Sequence, residues 1–183
     1  VTQIYEIGGN WQYFQQISDT KWLIGGGSSN SGILLYNSED DSFTKIYSSS
    51  SHWRYFKQVT STKWLIGGGS SNSGILVYNS EDDSVTQIYT SGNSWQYFQQ
   101  VNDTEWLISG TGYNAGILFY NLEDNSFTKI YSSGDSWQHF LQVTSTKWLI
   151  GASDINTGIL LYNLEDNSVT RVYTSGGYWQ YFI

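Results

Sequence analysis

The chain has 183 residues with no cysteine, methionine or proline, and its aromatic content of 17% is enough to build a large core. Without cysteine it has no disulfide, no thiolate metal ligand and no cysteine nucleophile. The net charge is −8 and the eight basic residues are scattered, which argues against nucleic acid and anionic membranes as partners because both require clustered lysine and arginine. No apolar run approaches the roughly 18 residues of a membrane span, so we expect no membrane insertion.

The first complete unit, residues 11–52, contains four segments rich in the aromatic and β-branched residues that suit a pleated, partly buried surface. Clusters of glycine, serine, asparagine and aspartate separate them and predict tight turns. No segment has the 3.6-residue apolar period of a helix, so we predict no substantial helix. We designate the strands a, b, c and d. In chain order they are Trp11–Ile17, Lys21–Gly26, Gly32–Asn37 and Ser42–Tyr47.

This unit recurs with a period of 42 residues. All nine tryptophans fall in two series with that period. The first series is Trp11, Trp53, Trp95, Trp137 and Trp179, and the second is Trp22, Trp64, Trp106 and Trp148. The complete units are 11–52, 53–94, 95–136 and 137–178. Of the remaining residues, 1–10 match a strand d with its following loop, and 179–183 match a strand a.

A unit of 42 residues with four antiparallel strands predicts an all-β fold of tandem meanders, each of them one blade of a β-propeller. We expect residues 1–183 to form a single domain with four to five blades, as part of a larger array. An open solenoid stays as the alternative, because a repeat does not itself specify ring closure. The order of a strand d, four complete units and a strand a leaves strand edges unpaired, which favours continuation or assembly over an isolated monomer.

A short motif recurs along the chain: a double glycine ends strand b, a tyrosine lies in strand c, and an apolar residue follows seven positions later, with only one of the two glycines kept in the third and fourth units. The first unit has Gly25-Gly26, Tyr36 and Phe43. The later units have Gly67-Gly68, Tyr78 and Val85, then Ser109-Gly110, Tyr120 and Phe127, then Gly151-Ala152, Tyr162 and Val169. This motif resembles the kelch repeat, although the period is shorter and phenylalanine or valine replaces the kelch tryptophan. The resemblance implies a blade fold.

In propeller geometry the a–b and c–d turns lie at one end of the blades, and these turns are acidic. The c–d turns alone hold ten of the sixteen carboxylates: Glu39, Asp40, Asp41, Glu81, Asp82, Asp83, Glu123, Asp124, Glu165 and Asp166. One interpretation is calcium binding, because hard cations take several carboxylate and carbonyl oxygens. The favoured interpretation is a solvated hairpin turn in which Asp and Asn bond their own backbone. We therefore predict no metal site and no cofactor.

The d–a and b–c loops lie at the opposite, nearly uncharged end, which we call the loop face. Strand a begins there, so its tryptophans are candidate sugar platforms: an indole stacks on a sugar while small polar groups bond the hydroxyls. The candidate ligand-binding residues are Trp11, Trp53, Trp95, Trp137, Asn30, Asn72, Tyr113, Asn114 and Asn156. The alternative is structural, with the tryptophans as inter-blade core and the asparagines fixing the b–c turns. Arg54 breaks the repeat, as does His139.

The sequence lacks the motifs of an enzyme. The two histidines, His52 and His139, lie about two repeat lengths apart in the sequence and at positions that are not equivalent, and no nucleophile elbow, phosphate loop or zinc motif is present. We therefore expect a non-enzymatic extracellular or cell-surface binding module, lectin-like or protein-binding, whose partner is a glycan or a protein. The alternative is a structural subunit that self-associates into a filament or surface layer.

Overall fold

The computed structural model describes residues 10–27, 32–49, 51–69, 74–90, 94–112, 116–132, 136–153 and 158–174. These residues form sixteen strands and no helix. The strands are β1 Trp11–Gln16, β2 Lys21–Gly26, β3 Ile33–Asn37, β4 Ser42–Tyr47, β5 Trp53–Gln58, β6 Lys63–Gly68, β7 Ile75–Asn79, β8 Ser84–Tyr89, β9 Ser94–Gln100, β10 Glu105–Thr111, β11 Ile117–Asn121, β12 Ser126–Tyr131, β13 Trp137–Gln142, β14 Lys147–Ala152, β15 Ile159–Asn163 and β16 Ser168–Tyr173.

The strands form four-stranded antiparallel sheets in sequence order, β1 to β4, β5 to β8, β9 to β12 and β13 to β16. We call these sheets blades 1 to 4. The predicted all-β fold of tandem four-stranded meanders is confirmed, and the strand bounds agree with the sequence to within one residue in the first unit. The partial strands predicted in residues 1–9 and 179–183 lie outside the described residues.

The c–d hairpins turn through a left-handed residue in every blade. These residues are Asp41, Asp83, Asn125 and Asn167, with φ between 54° and 56°. Asp and Asn are the side chains that tolerate this backbone region best after glycine. Each side chain also accepts a hydrogen bond from the tyrosine hydroxyl five residues earlier, at 2.8 Å for Asp41 and 2.6 Å for Asp83. The recurring tyrosine of strand c therefore fixes its own turn.

The chain divides into two compact units, residues 1–94 and 95–183. In the first unit, blades 1 and 2 share one buried cluster, to which blade 1 contributes Leu23 and Leu35 and blade 2 contributes Trp64, Ile66 and Tyr78. We call the side of a blade that carries the Trp64 and Tyr78 positions its leading face. The side that carries the Leu23 and Leu35 positions is its trailing face.

The second unit repeats this arrangement with equivalent residues. Leu107 on the trailing face of blade 3 lies in one cluster with Trp148, Ile150 and Tyr162 on the leading face of blade 4. The rings of Phe119 and Tyr162 lie 6.2 Å apart across this junction. Packing of these large apolar side chains stabilises each unit, because each fully buried side chain contributes about 1.5–3 kcal/mol to the free energy of folding.

The backbones of successive blades approach closely where strand b of one blade passes strand a of the next. A Cβ atom placed on Gly25 would lie 2.0 Å from the carbonyl oxygen of Trp53. In blade 3 the equivalent residue is Ser109, whose buried hydroxyl donates a hydrogen bond to the carbonyl oxygen of Trp137. Gly25, the first glycine of the pair in blade 1, therefore lies at a close approach between the backbones of blades 1 and 2.

Gly25→Ala is expected to lower the free energy of unfolding by about 1–3 kcal/mol, because the added methyl group must displace backbone rather than a flexible side chain. Gly27→Ala is the matched control, since its Cβ would meet the end of the flexible Gln12 side chain, 2.9 Å away, and would reach backbone only at the ordinary contact distance of 3.4 Å from the Asn10 carbonyl oxygen. Urea unfolding of both variants measures the difference. Equal stability of the two variants would contradict the close approach.

Candidate functional site

In the described part of the loop face, each blade has one polar side chain at an equivalent position, and we call this set of four positions the row. Each side chain belongs to the residue that directly follows the first tryptophan of strand a. It contacts a residue at the end of strand b or one position beyond that end. In blades 1, 2 and 4 the pairing of strands a and b shifts register at this position, which marks a β-bulge. The side chains are Gln12, Arg54, Gln96 and Gln138. In the same order, they lie against Gly27 and Gly69 and donate hydrogen bonds to Thr111 and Ser153.

The contacts of this row are polar and specific. The Gln96 amide donates to the Thr111 hydroxyl at 3.0 Å. The Gln138 amide donates to the Ser153 hydroxyl at 2.6 Å. In both cases this bond holds the amide in place; a glutamine amide has two donor hydrogens and an acceptor oxygen in all.

Arg54 is the one basic member of the row. Its Nη2 atom lies 3.0 Å from Nδ1 of His52, and its guanidinium carbon lies 5.4 Å from the centre of the Tyr13 ring in blade 1. The side chain runs against Gly69, where a Cβ would be only 2.3 Å from Arg54 Cδ. Its Nε atom is buried with no hydrogen-bond partner among the described residues. The repeat-breaking residue is therefore held rigidly beside an aromatic ring.

The first tryptophan series differs from the expectation of solvent-exposed indoles. Trp53, Trp95 and Trp137 are fully buried, and Trp11 is partly buried. Trp53 packs edge-on against Tyr47 of the preceding blade, with ring centres 5.5 Å apart, and its Nε1 donates to the Ser49 hydroxyl at 2.9 Å. A sugar cannot stack on a buried ring, so these three side chains are core, and Trp53 and Trp137 belong to the clusters that join blades 1 and 2 and blades 3 and 4.

The second tryptophan series is also core, as the sequence indicates. Trp64, Trp106 and Trp148 are at most 5% exposed. Their equivalent in blade 1, Trp22, is only partly buried. The remaining candidate site residues, Asn30, Asn72, Tyr113, Asn114 and Asn156, lie outside the described residues, and their role in binding stays a prediction.

The acidic turns at the opposite end behave as self-bonded hairpins. Asp40 and Asp82 accept hydrogen bonds from the backbone amides of Ser42 and Ser84, each at 3.1 Å. The serine side-chain and backbone hydrogen bonds lower the pKa of each aspartate, and Asp124 and Asp166 show the same effect. Over the described ranges, no group of three His, Asp or Glu side chains is placed to hold a metal ion. Nor do those ranges contain a helix long and apolar enough to cross a membrane.

No family model matches the chain, and no curated protein matches it. Solved structures do match. An auxiliary nutrient binding protein from Bacteroides thetaiotaomicron matches with a TM-score of 0.52 and 14% identity, over 92% of this chain and 43% of that one. An oligogalacturonate lyase in complex with manganese matches with a TM-score of 0.52 and 12% identity, over 99% of this chain and 58% of that one.

These matches show the fold, which is of the β-propeller type. This chain spans about half the length of the structures it matches. The prediction that the chain is not an enzyme, which relied on missing catalytic motifs, is wrong. A structure with the same fold is an oligogalacturonate lyase, so the absence of familiar catalytic motifs does not exclude catalysis in this architecture. Motif searches fail here because function resides in sites carried by the fold, and the same fold carries different sites.

The bonded turns predict a measurable loss of stability in acid. Because hydrogen bonds to Ser84 hold the folded-state pKa of Asp82 below its ordinary value of 3.8, its contribution to stability is present above that pH and is lost as pH falls through the folded-state pKa. Asp82→Asn keeps an oxygen acceptor for Ser84 but does not titrate. Urea midpoints at pH 6 and pH 3, measured at low ionic strength, should therefore fall less in the variant than in the parent. An equal fall would contradict the assignment.

Proposed function

We propose that the chain is a binding module that recognises carbohydrate on its loop face, in an extracellular or cell-surface setting. The observation that supports this most is the row of one amide or guanidinium group per blade, at Gln12, Arg54, Gln96 and Gln138. Planar groups of this kind donate and accept hydrogen bonds in the pattern that vicinal sugar hydroxyls require. The kelch-like blade motif fits such a module.

In this proposal residues of the b–c loops also take part in binding. Asn30, Asn72, Asn114 and Asn156 supply further amides, and Tyr113 supplies a ring on which a sugar stacks. The buried tryptophans Trp53, Trp95 and Trp137, together with Trp11, support the row from beneath and keep its backbone fixed. Equivalent sites on successive blades would raise the overall affinity for a repeating glycan through multivalency.

Arg54 supplies a preference for sugars that carry a carboxylate. Its guanidinium is held by His52 and lies beside the Tyr13 ring, and a guanidinium can bind a carboxylate through two parallel hydrogen bonds. The acidic turns lie at the other end of the blades, so they do not oppose such a ligand at close range. The matched nutrient binding protein and the matched oligogalacturonate lyase make a uronic acid oligosaccharide a reasonable first ligand to test.

A glycan array followed by calorimetry tests the proposal with Arg54→Gln. This change introduces the residue that blades 1, 3 and 4 have at the same position. It should weaken binding of uronic acid oligosaccharides about tenfold, equivalent to about 1.4 kcal/mol, and leave neutral glycans unchanged. Lys57→Gln is the matched control, because it removes the same charge three residues away in the same strand.

No glycan binding at millimolar protein would refute the proposal. Equal losses for Arg54→Gln and Lys57→Gln would refute the role of Arg54, because net charge alone would then explain the effect. The same mixtures should be followed by ultraviolet absorbance for an unsaturated sugar product, since a lyase with this fold exists. Product formed by the parent chain would assign a reaction to the bound glycan.

A further inference from the structure

The leading face of blade 1 is exposed, whereas the same face of the other blades is buried. Phe14 on this face is 65% exposed. Around it lies a cleft of about 360 Å³ lined by Phe14, Trp22, Ile24, Tyr36 and Phe43. The tyrosines equivalent to Tyr36 in the other blades, Tyr78, Tyr120 and Tyr162, are fully buried. An apolar patch of this composition marks an interaction surface.

The junctions inside each unit show what kind of surface covers a leading face. Blade 2 is covered by the trailing face of blade 1, through Leu23, Leu35 and the partly buried Ile46 and Tyr47. Blade 4 is covered in the same way by the trailing face of blade 3. In each case the tyrosine that ends strand d packs edge-on against the first tryptophan of the next blade, at 5.5 Å and 5.3 Å between ring centres.

The trailing face of blade 4 carries the same residues and is itself exposed. Leu149 and Leu161 occupy the positions of Leu23 and Leu35 but are only partly buried. At the positions of Ile46 and Tyr47, Val172 is 49% and Tyr173 is 44% exposed. Blade 4 therefore presents the surface that blade 1 lacks.

The charges of the two exposed faces also match. At the junction of blades 1 and 2, the Lys21 ammonium bonds both carboxylate oxygens of Asp83, at 3.1 Å and 2.9 Å. Blade 4 has Lys147 at the lysine position, and blade 1 has Asp41 at the aspartate position. In blade 3 the residue equivalent to Lys21 is the acidic Glu105. The residue of blade 4 that is equivalent to Asp83 is the neutral Asn167.

We propose that the chain associates head to tail, with the trailing face of blade 4 of one copy packed on the leading face of blade 1 of a second copy. Leu149 and Leu161 then cover Trp22 and Tyr36, as Leu23 and Leu35 cover Trp64 and Tyr78 within the chain. Tyr173 packs against Trp11, and Lys147 pairs with Asp41. This inference is independent of the proposed ligand, because it uses the sides of the blades and not the loop face.

Sedimentation equilibrium across a wide concentration range tests the association. The parent chain should form dimers or longer oligomers reversibly. Phe14→Glu should raise the dissociation constant at least about tenfold, because it places a charge in the apolar interface. Phe14 is exposed, so the variant is expected to fold normally. Gln100→Glu adds the same charge at an exposed site on blade 3 and should leave the association unchanged.

A second variant tests the direction of packing. Asp41→Asn removes the charge but keeps the turn, because Asn125 and Asn167 hold the same left-handed position in blades 3 and 4. It should weaken association about threefold at low salt and reduce its dependence on salt concentration, as expected for a charge pair at the edge of an interface.

Three outcomes would overturn the proposal. The first is a parent chain that stays monomeric up to the highest concentration, with the face then covered from within the same chain or left open. The second is an oligomer unaffected by Phe14→Glu. The third is an association equally sensitive to Gln100→Glu, which would reflect general charge repulsion rather than this interface.

Discussion

Blades 2 and 4 depend on the burial of their leading faces against the trailing faces of blades 1 and 3. A four-stranded meander has two apolar sides, and a sheet of this size is not stable in water unless those sides are covered. The tryptophan and tyrosine of one side fit the leucines of the other, so the requirement is met by repetition of one unit. Repeat proteins gain stability from the interfaces between neighbouring repeats. The exposed faces of blades 1 and 4 follow from the same requirement.

Close packing between the blades also shapes the loop face. The first tryptophan of strand a must be buried under the preceding tyrosine, and the β-bulge that follows it turns the next side chain toward the end of strand b. The tryptophan and the polar residue are therefore adjacent in sequence, but the first is buried in the core and the second faces the loop end of the blade. This coupling allows the polar position to vary, as Arg54 does among glutamines, without disturbing the fold.

The strands, their pairing and the turns could be predicted from the sequence, because they follow from local composition and from a period that repeats without error. The same residues misled the search for a site. A tryptophan next to a polar loop is compatible with both a sugar platform and a core residue, since burial depends on contacts with another blade. The sequence shows that Arg54 departs from the repeat, but only its contacts with His52 and Tyr13 separate it from a neutral substitution. The exclusion of catalysis failed because it relied on linear motifs, whereas one fold can carry different sites that such motifs do not reveal.

The sequence by itself determined the unit, its length, its four strands and the acidic character of its hairpin turns, because each of these depends on neighbours within about forty residues. Tertiary structure alone decided which aromatic side chains are core and which face solvent. Trp22 and Trp64 have almost the same sequence surroundings, yet Trp64 is 5% exposed under blade 1 and Trp22 lines an open cleft. The difference has a physical cause: a side chain is buried by what packs on it, and the repeat specifies that partner only through another copy of itself.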